Sequence, residues 1–148
     1  MAAALVAAFA TSSVLATGGG GLISARQASR DAVQTAATCS PGASACPIRI
    51  TFAPGAYSGQ AHGHLNGIHS QQWFVVKARA GQTMVVVVKG AGATRGIVTF
   101  PGGKTIGQPG GRVFDGVLPA TGDYRIQVTE SSMGEGWSGG IDVIVLIY

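Results

Sequence analysis

Apolar and polar positions alternate with a period of two along most of the chain after Pro47. Ile48, Ile50 and Phe52 alternate with Arg49 and Thr51, which predicts a strand with one apolar and one wet face. The Ala53-Pro54-Gly55 cluster ends it. Tyr57–Leu65 alternates but is mostly polar, and reads as an edge strand. Trp73–Ala78 is a third strand, closed by the turn at Ala80-Gly81. Thr83–Lys89 holds Met84 and four valines, and is apolar on both faces, so it is expected in the middle of a sheet. Gly96–Phe100 and Arg112–Leu118 follow, separated by Pro101-Gly102-Gly103 and by the breaker cluster Gln108-Pro109-Gly110-Gly111. Asp123–Glu130 sets Tyr124, Ile126 and Val128 against Arg125, Gln127 and Thr129. Ile141–Tyr148 closes the chain as a second central strand. Eight short strands with frequent turns and no helix-length apolar stripe predict an all-β, antiparallel sandwich, because only a second sheet is available to cover the first.

The first 46 residues have a different texture. Residues 1–16 are small and apolar, like the core of a secretory signal, with Val14-Leu15-Ala16 suited to cleavage at Ala16. The first charge is Arg26, so the usual basic start is missing. Two readings follow: an unusual signal, or a start downstream of the true one. Thr11, Ser12, Ser13 and the glycines at 18–21 break the run short of the roughly 20 residues a membrane span needs. The expected organisation is an apolar leader over 1–25, a linker with a short cysteine loop over 26–46, and the sandwich over 47–148. Such a leader places the mature protein in the periplasm or outside the cell.

Composition agrees with export. Charged residues make up 11% of the 148, and glycine contributes 24. Ten Lys/Arg against six Asp/Glu give +4, with no basic run to follow a phosphate backbone, which argues against nucleic acid. Cys39 and Cys46 bracket a Pro-Gly turn, and in an exported chain they predict a disulfide. Neither zinc-site nor Cys-x-x-Cys spacing is present.

Three motifs imitate active sites. Gly136-Trp137-Ser138-Gly139-Gly140 fits G-x-S-x-G, but a strand follows where a nucleophile elbow needs a helix, and His62, His64 and His69 all precede the serine. Gly103-Lys104-Thr105 lacks the earlier glycine of a phosphate loop, since Val98 stands there. Gly90–Arg95 has Arg95 in place of the third glycine of a dinucleotide fingerprint. All three read as turns, and no enzyme, cofactor or metal is expected. His62 and His64 share a strand face, and a hairpin at Asn66-Gly67 brings His69 back beside them; a polar edge strand with solvated histidines is the favoured reading, because no acid is near in sequence.

Several segments carry a family likeness. Phe52-Ala53-Pro54-Gly55 precedes Gly63-His64-Leu65-Asn66-Gly67. Trp73–Gln82 is an aromatic strand with an Ala-Gly-Gln turn, Phe100-Pro101-Gly102-Gly103 is a central turn, and Leu118–Val128 reads Leu-Pro-x-Thr-Gly-x-Tyr-x-Ile-x-Val. From Ile50 to Tyr148 the chain resembles the bacterial pre-peptidase C-terminal type of β-sandwich, and within it the periplasmic inhibitors of g-type lysozyme. The resemblance implies a jelly-roll-like fold without catalysis, whose loops plug an enzyme cleft. The corresponding loop is Ser131–Gly140, which carries Met133, Glu135 and Trp137 but no arginine. Arg95, Lys104 and Arg112 on other turns are the candidate cations for a catalytic carboxylate. The expected function is a binding module, with Arg95, Lys104, Arg112, Glu135, Trp137 and Tyr57 as candidate partner contacts and a lysozyme as candidate partner. The alternatives are a cell-wall glycan stacked on Trp73, Trp137 or Tyr57, and a self-assembling subunit joined through strand edges.

Overall fold

The computed structural model describes residues 39–132 and 136–148. The expected leader, and all of the linker before Cys39, lie outside the described residues. The described residues form nine strands: β1 (Ile48–Arg49), β2 (Ser58–Asn66), β3 (Gln71–Ala78), β4 (Thr83–Gly90), β5 (Thr94–Thr99), β6 (Thr105–Pro109), β7 (Gly111–Val117), β8 (Gly122–Glu130) and β9 (Ser138–Ile147). They make two sheets, ordered β1-β3-β8-β5-β6 and β2-β9-β4-β7. Every pairing is antiparallel except β1 with β3. The expected β-sandwich is what forms.

Alternation predicted the inward faces of β3 and β8, while β4 and β9 were expected as central strands. Phe74, Val76, Tyr124, Ile126 and Val128 from the first sheet meet Leu65, Met84, Val86, Ile141, Val143 and Val145 from the second, all buried. Full burial of side chains of this size contributes roughly 1.5–3 kcal/mol each. Phe100 joins the layers, its ring 5.4 Å from both Phe114 on β7 and Tyr124 on β8, edge-on to each. The Tyr124 hydroxyl donates to the Ala120 carbonyl at 2.6 Å, which satisfies its polar end inside the core. β4 and β9 are interior strands and β2 is an edge, as their patterns predict.

Two elements differ from expectation. β1 ends at Arg49 although Ile50 is buried, because the chain leaves the ladder after one more bond, Ile50 N–H to Val75 O at 2.8 Å. Ile50 and Phe52 then lie over Gly59 of β2, in the other sheet. The alternation there reported burial, not a long ladder. β6 is an additional strand, paired with β5 from Thr99↔Thr105 to Arg95↔Pro109. It is a sheet edge and so needs little apolar patterning, and Pro109 is tolerated at such a margin.

A bulge shifts the β4–β7 register between Val86 and Val87. On a regular strand, residues three apart point to opposite faces; the extra residue puts Arg112 and Asp115 on one face, where they pair at 2.7 Å.

Candidate functional site

Four connections meet at one end of the sandwich, and Trp137, on the β8–β9 connection, ties two of the others to it. Its indole N–H donates to Ala93 O at 3.1 Å, on the β4–β5 connection. Its carbonyl accepts Gly67 N–H at 3.0 Å, on the β2–β3 connection, and Ser131 N–H donates to the same Ala93 O at 2.9 Å. Gly110, between β6 and β7, donates to Thr94 O at 2.7 Å. Trp137 is half-buried and packs against the core. The glycines around it leave room for the ring: a Cβ on Gly92 would sit 2.5 Å from it, and one on Gly139 2.6 Å. The tryptophan therefore stitches loops together and presents only part of a face to solvent.

Two grooves flank the start of the β8–β9 loop. One, of about 440 Å³, runs past Lys89, Thr94, Gly110 and Ser131. The other, of about 520 Å³, lies between Ile68, His69 and Gln71 on one side and Thr129, Glu130 and Ser132 on the other. Glu130 accepts from the Ser132 backbone at 2.8 Å and from its hydroxyl, which holds the loop's first turn. Ile68 is 52% exposed, an apolar side chain at the rim. Apart from His69, weighed with the histidines, and Ser131 and Ser132 of the expected contact loop, these groove residues were not among the sequence candidates. Their only signal was an apolar Ile68 among turn residues.

The candidate contacts divide between the two ends. Arg95, exposed on β5, and Arg112, at the start of β7, lie toward the Trp137 end. Arg95 extends beside Gly107 of β6, while Arg112 is engaged by Asp115 on the outer face of its sheet. Lys104, in the turn before β6, and Tyr57, ahead of β2, lie at the opposite end. Glu135, like Met133, falls outside the described residues.

The histidines do not converge. Asn66-Gly67 turns the chain out of β2, but β3 belongs to the other sheet, so His69 departs from His64 instead of pairing with it. His69 takes a left-handed backbone, φ 64°, in making that crossing. His62 has an acid beside it after all. Asp142 stands directly across the β2–β9 ladder, and its carboxylate contacts His62 Nδ1. Sequence distance hid a cross-strand neighbour. Among the described residues, no cluster of three or more His, Cys, Asp or Glu could hold a metal.

None of the three imitation motifs leads into a helix, but only the second is a plain turn, since Ser138–Gly140 belong to β9, Gly90 to β4, and Thr94 and Arg95 to β5. Ser138 opens β9 opposite Asn66. Gly103 and Lys104 form a hairpin turn, with Phe100 N–H donating to Lys104 O at 2.8 Å. Gly90–Arg95 crosses between the sheets.

Cys39 and Cys46 form a disulfide, with Cα atoms 5.8 Å apart. Their loop lies along β3. Trp73 N–H donates to Gly42 O at 2.8 Å, and Arg125 reaches from β8 to the Ser44 carbonyl. The Arg125 guanidinium covers the Trp73 ring at 4.8 Å, a cation–π contact that removes this ring from the exposed stacking surfaces.

No family model matches the chain, and no curated protein does. Solved structures do. The fold is similar to that of Aeromonas hydrophila PliG, a periplasmic lysozyme inhibitor of g-type lysozyme, with 27% identity and a TM-score of 0.58 over 69% of this chain and 96% of that one. Salmonella Typhimurium PliG, of the same description, shares 18% identity at TM-score 0.55, over 69% of this chain and 97% of that one. A mutant of the Escherichia coli protein shares 17% at 0.51, with the same coverage. At these last two identities the likeness is one of fold.

Proposed function

We propose that this chain is a periplasmic, non-catalytic inhibitor of a g-type lysozyme that works through the loop end around Trp137. The observation that carries this reading is the likeness to Aeromonas hydrophila PliG, which spans 96% of that inhibitor at 27% identity. The kinship with the pre-peptidase C-terminal type of sandwich belongs to the same reading and rests on the Leu118–Val128 motif.

The side-chain chemistry supports it. Arg112, Arg49 and His62 engage Asp115, Asp123 and Asp142, and Glu130 is held by Ser132. Among the described residues, these aspartates lie on separate strands and each has its own partner, an arrangement compatible with a binding role. Arg95 is the candidate cation for a catalytic carboxylate of the enzyme, and the loop bearing Glu135 and Trp137 is the part that meets the cleft. Tyr57 and Lys104, at the far end, take no part in that contact.

A turbidity assay on bacterial cells tests the reading, with g-type, c-type and invertebrate-type lysozymes run in parallel. Selective slowing of the g-type enzyme is expected at micromolar protein. Arg95→Ala weakens inhibition by about tenfold or more, as loss of an interface arginine anchor does. Full g-type activity at micromolar protein refutes the proposal.

A further inference from the structure

The end of the sandwich opposite Trp137 carries a groove with a different chemistry. Phe52 and Ile147 contribute apolar lining, and its volume is about 300 Å³. Tyr57 and Tyr148 stand beside it, 71% and 63% exposed. Both backbones are pinned at that place. Ile147 N–H donates to Tyr57 O at 2.8 Å, and Tyr148 exchanges hydrogen bonds with Thr83 at 2.8 and 3.1 Å. The backbones that carry these two exposed rings are thus bonded to neighbouring strands.

Polar groups complete the lining. Lys77 enters from β3 and Gln82 from the β3–β4 turn. The Gln82 amide oxygen accepts Arg79 N–H at 2.8 Å, so its amide nitrogen is the donor that remains for a ligand. Lys77 sits across the ladder from Asp123 and acts on it through its charge, while the hydrogen-bonded ion pair of Asp123 is with Arg49 at 3.2 Å. Arg79 lies beside Lys77 and Gln82 in an adjoining pocket. The balance at the groove is therefore positive.

We propose that this groove binds an acidic saccharide, one pyranose ring at a time, through Tyr57 and Tyr148, with Lys77 pairing the sugar's carboxylate. A pyranose ring has an apolar C–H face and a rim of hydroxyls. Exposed tyrosine rings bury the C–H face, and the Gln82 amide and Lys77 ammonium meet the rim. A neutral sugar offers Lys77 only hydroxyls, and a charged peptide offers the tyrosines no pyranose C–H face. An acidic sugar meets both demands. The site is separate from the loop end assigned to lysozyme, and it stands whether or not that assignment does.

Calorimetric titration of the full chain tests the proposal, with an oligogalacturonate, a neutral chito-oligosaccharide and polyglutamate as probes at low salt. The oligogalacturonate is expected to bind, and to weaken as salt rises because a charge pair contributes. Tyr57→Ala and Lys77→Gln each weaken it by about tenfold or more. Tyr57→Phe, which keeps the ring, holds affinity within roughly a factor of two, since stacking and not the hydroxyl carries the contact. Lys89→Gln, away from the groove, leaves binding unchanged. Three results overturn the proposal: no oligogalacturonate binding, equal binding of polyglutamate or of the neutral sugar, or equal weakening by Lys89→Gln.

Discussion

Asp123, the second residue of β8, lies within reach of two cations, and its acidity reflects both. The Arg49 guanidinium hydrogen-bonds its carboxylate and holds it below the usual carboxylate range; partial burial opposes this, and the charges of Arg49 and Lys77 add to it. Arg49 is pushed up in turn, first by the same hydrogen bond. The consequence for stability has a definite sign. A carboxyl with a depressed native value stabilises the fold above its unfolded value, near 4, and that contribution is lost as pH falls through the native value. Both side chains are about half exposed, so solvent screening keeps the effect under about 0.5 kcal/mol. A carboxyl NMR titration is expected to place Asp123 below an ordinary aspartate in the wild type and back in the ordinary range in Arg49→Gln. An unchanged Asp123 in that variant contradicts the assignment of cause.

At the scale of elements, the loop closed by Cys39 and Cys46 is the attachment that the strand pattern does not contain. Its carbonyls serve two strands: Gly42 accepts from Trp73 on β3, and Ser44 from Arg125 on β8. Cross-linking so short a loop contributes roughly 2 kcal/mol by restricting the unfolded chain. Replacing both cysteines by serine is expected to lower the melting temperature accordingly, and to shift the Trp73 indole NMR signal, because the ring loses its fixed neighbours. A variant with an unchanged melting temperature refutes the stapling role. The bond itself was legible from two cysteines around a turn. What it holds was not, because Trp73 and Arg125 are remote in sequence. The same division runs through the strands. β3, β8 and β9 were legible because each buries a periodic apolar face, and β4 because it is apolar on both faces. β6 was missed because an edge strand buries little, and its Pro109 reads as a breaker. The loop end was legible only through Trp137. The grooves beside it arise where Ile68 and Glu130 meet from different strands, and no local pattern records that meeting.

For the whole molecule, the governing fact is that neighbours in the sheets are distant in the chain. β2 pairs with β9, and β3 with β8, so the second and third strands must wait for the last two. Among the described residues, only β5–β6 is a pairing of consecutive strands across a tight turn. Closing long loops costs entropy before any long-range contact repays it, so this topology folds slowly for its size. The two sheets also share one core, since Phe100 contacts both Phe114 and Tyr124 across the layers. Neither sheet can keep its buried face without the other. Two expectations follow for denaturant unfolding followed by tryptophan fluorescence. Trp73, on one sheet, and Trp137, joining loops of both, report the same single transition. Refolding, read by stopped flow, takes roughly milliseconds to seconds, the range of sandwiches built on non-local pairing, and not the microseconds of local folds. Separate midpoints for far-UV circular dichroism and tryptophan emission would show that one sheet survives the other. That result would break the link between the loop end and the core, because Trp137 could then loosen while the sandwich stayed closed.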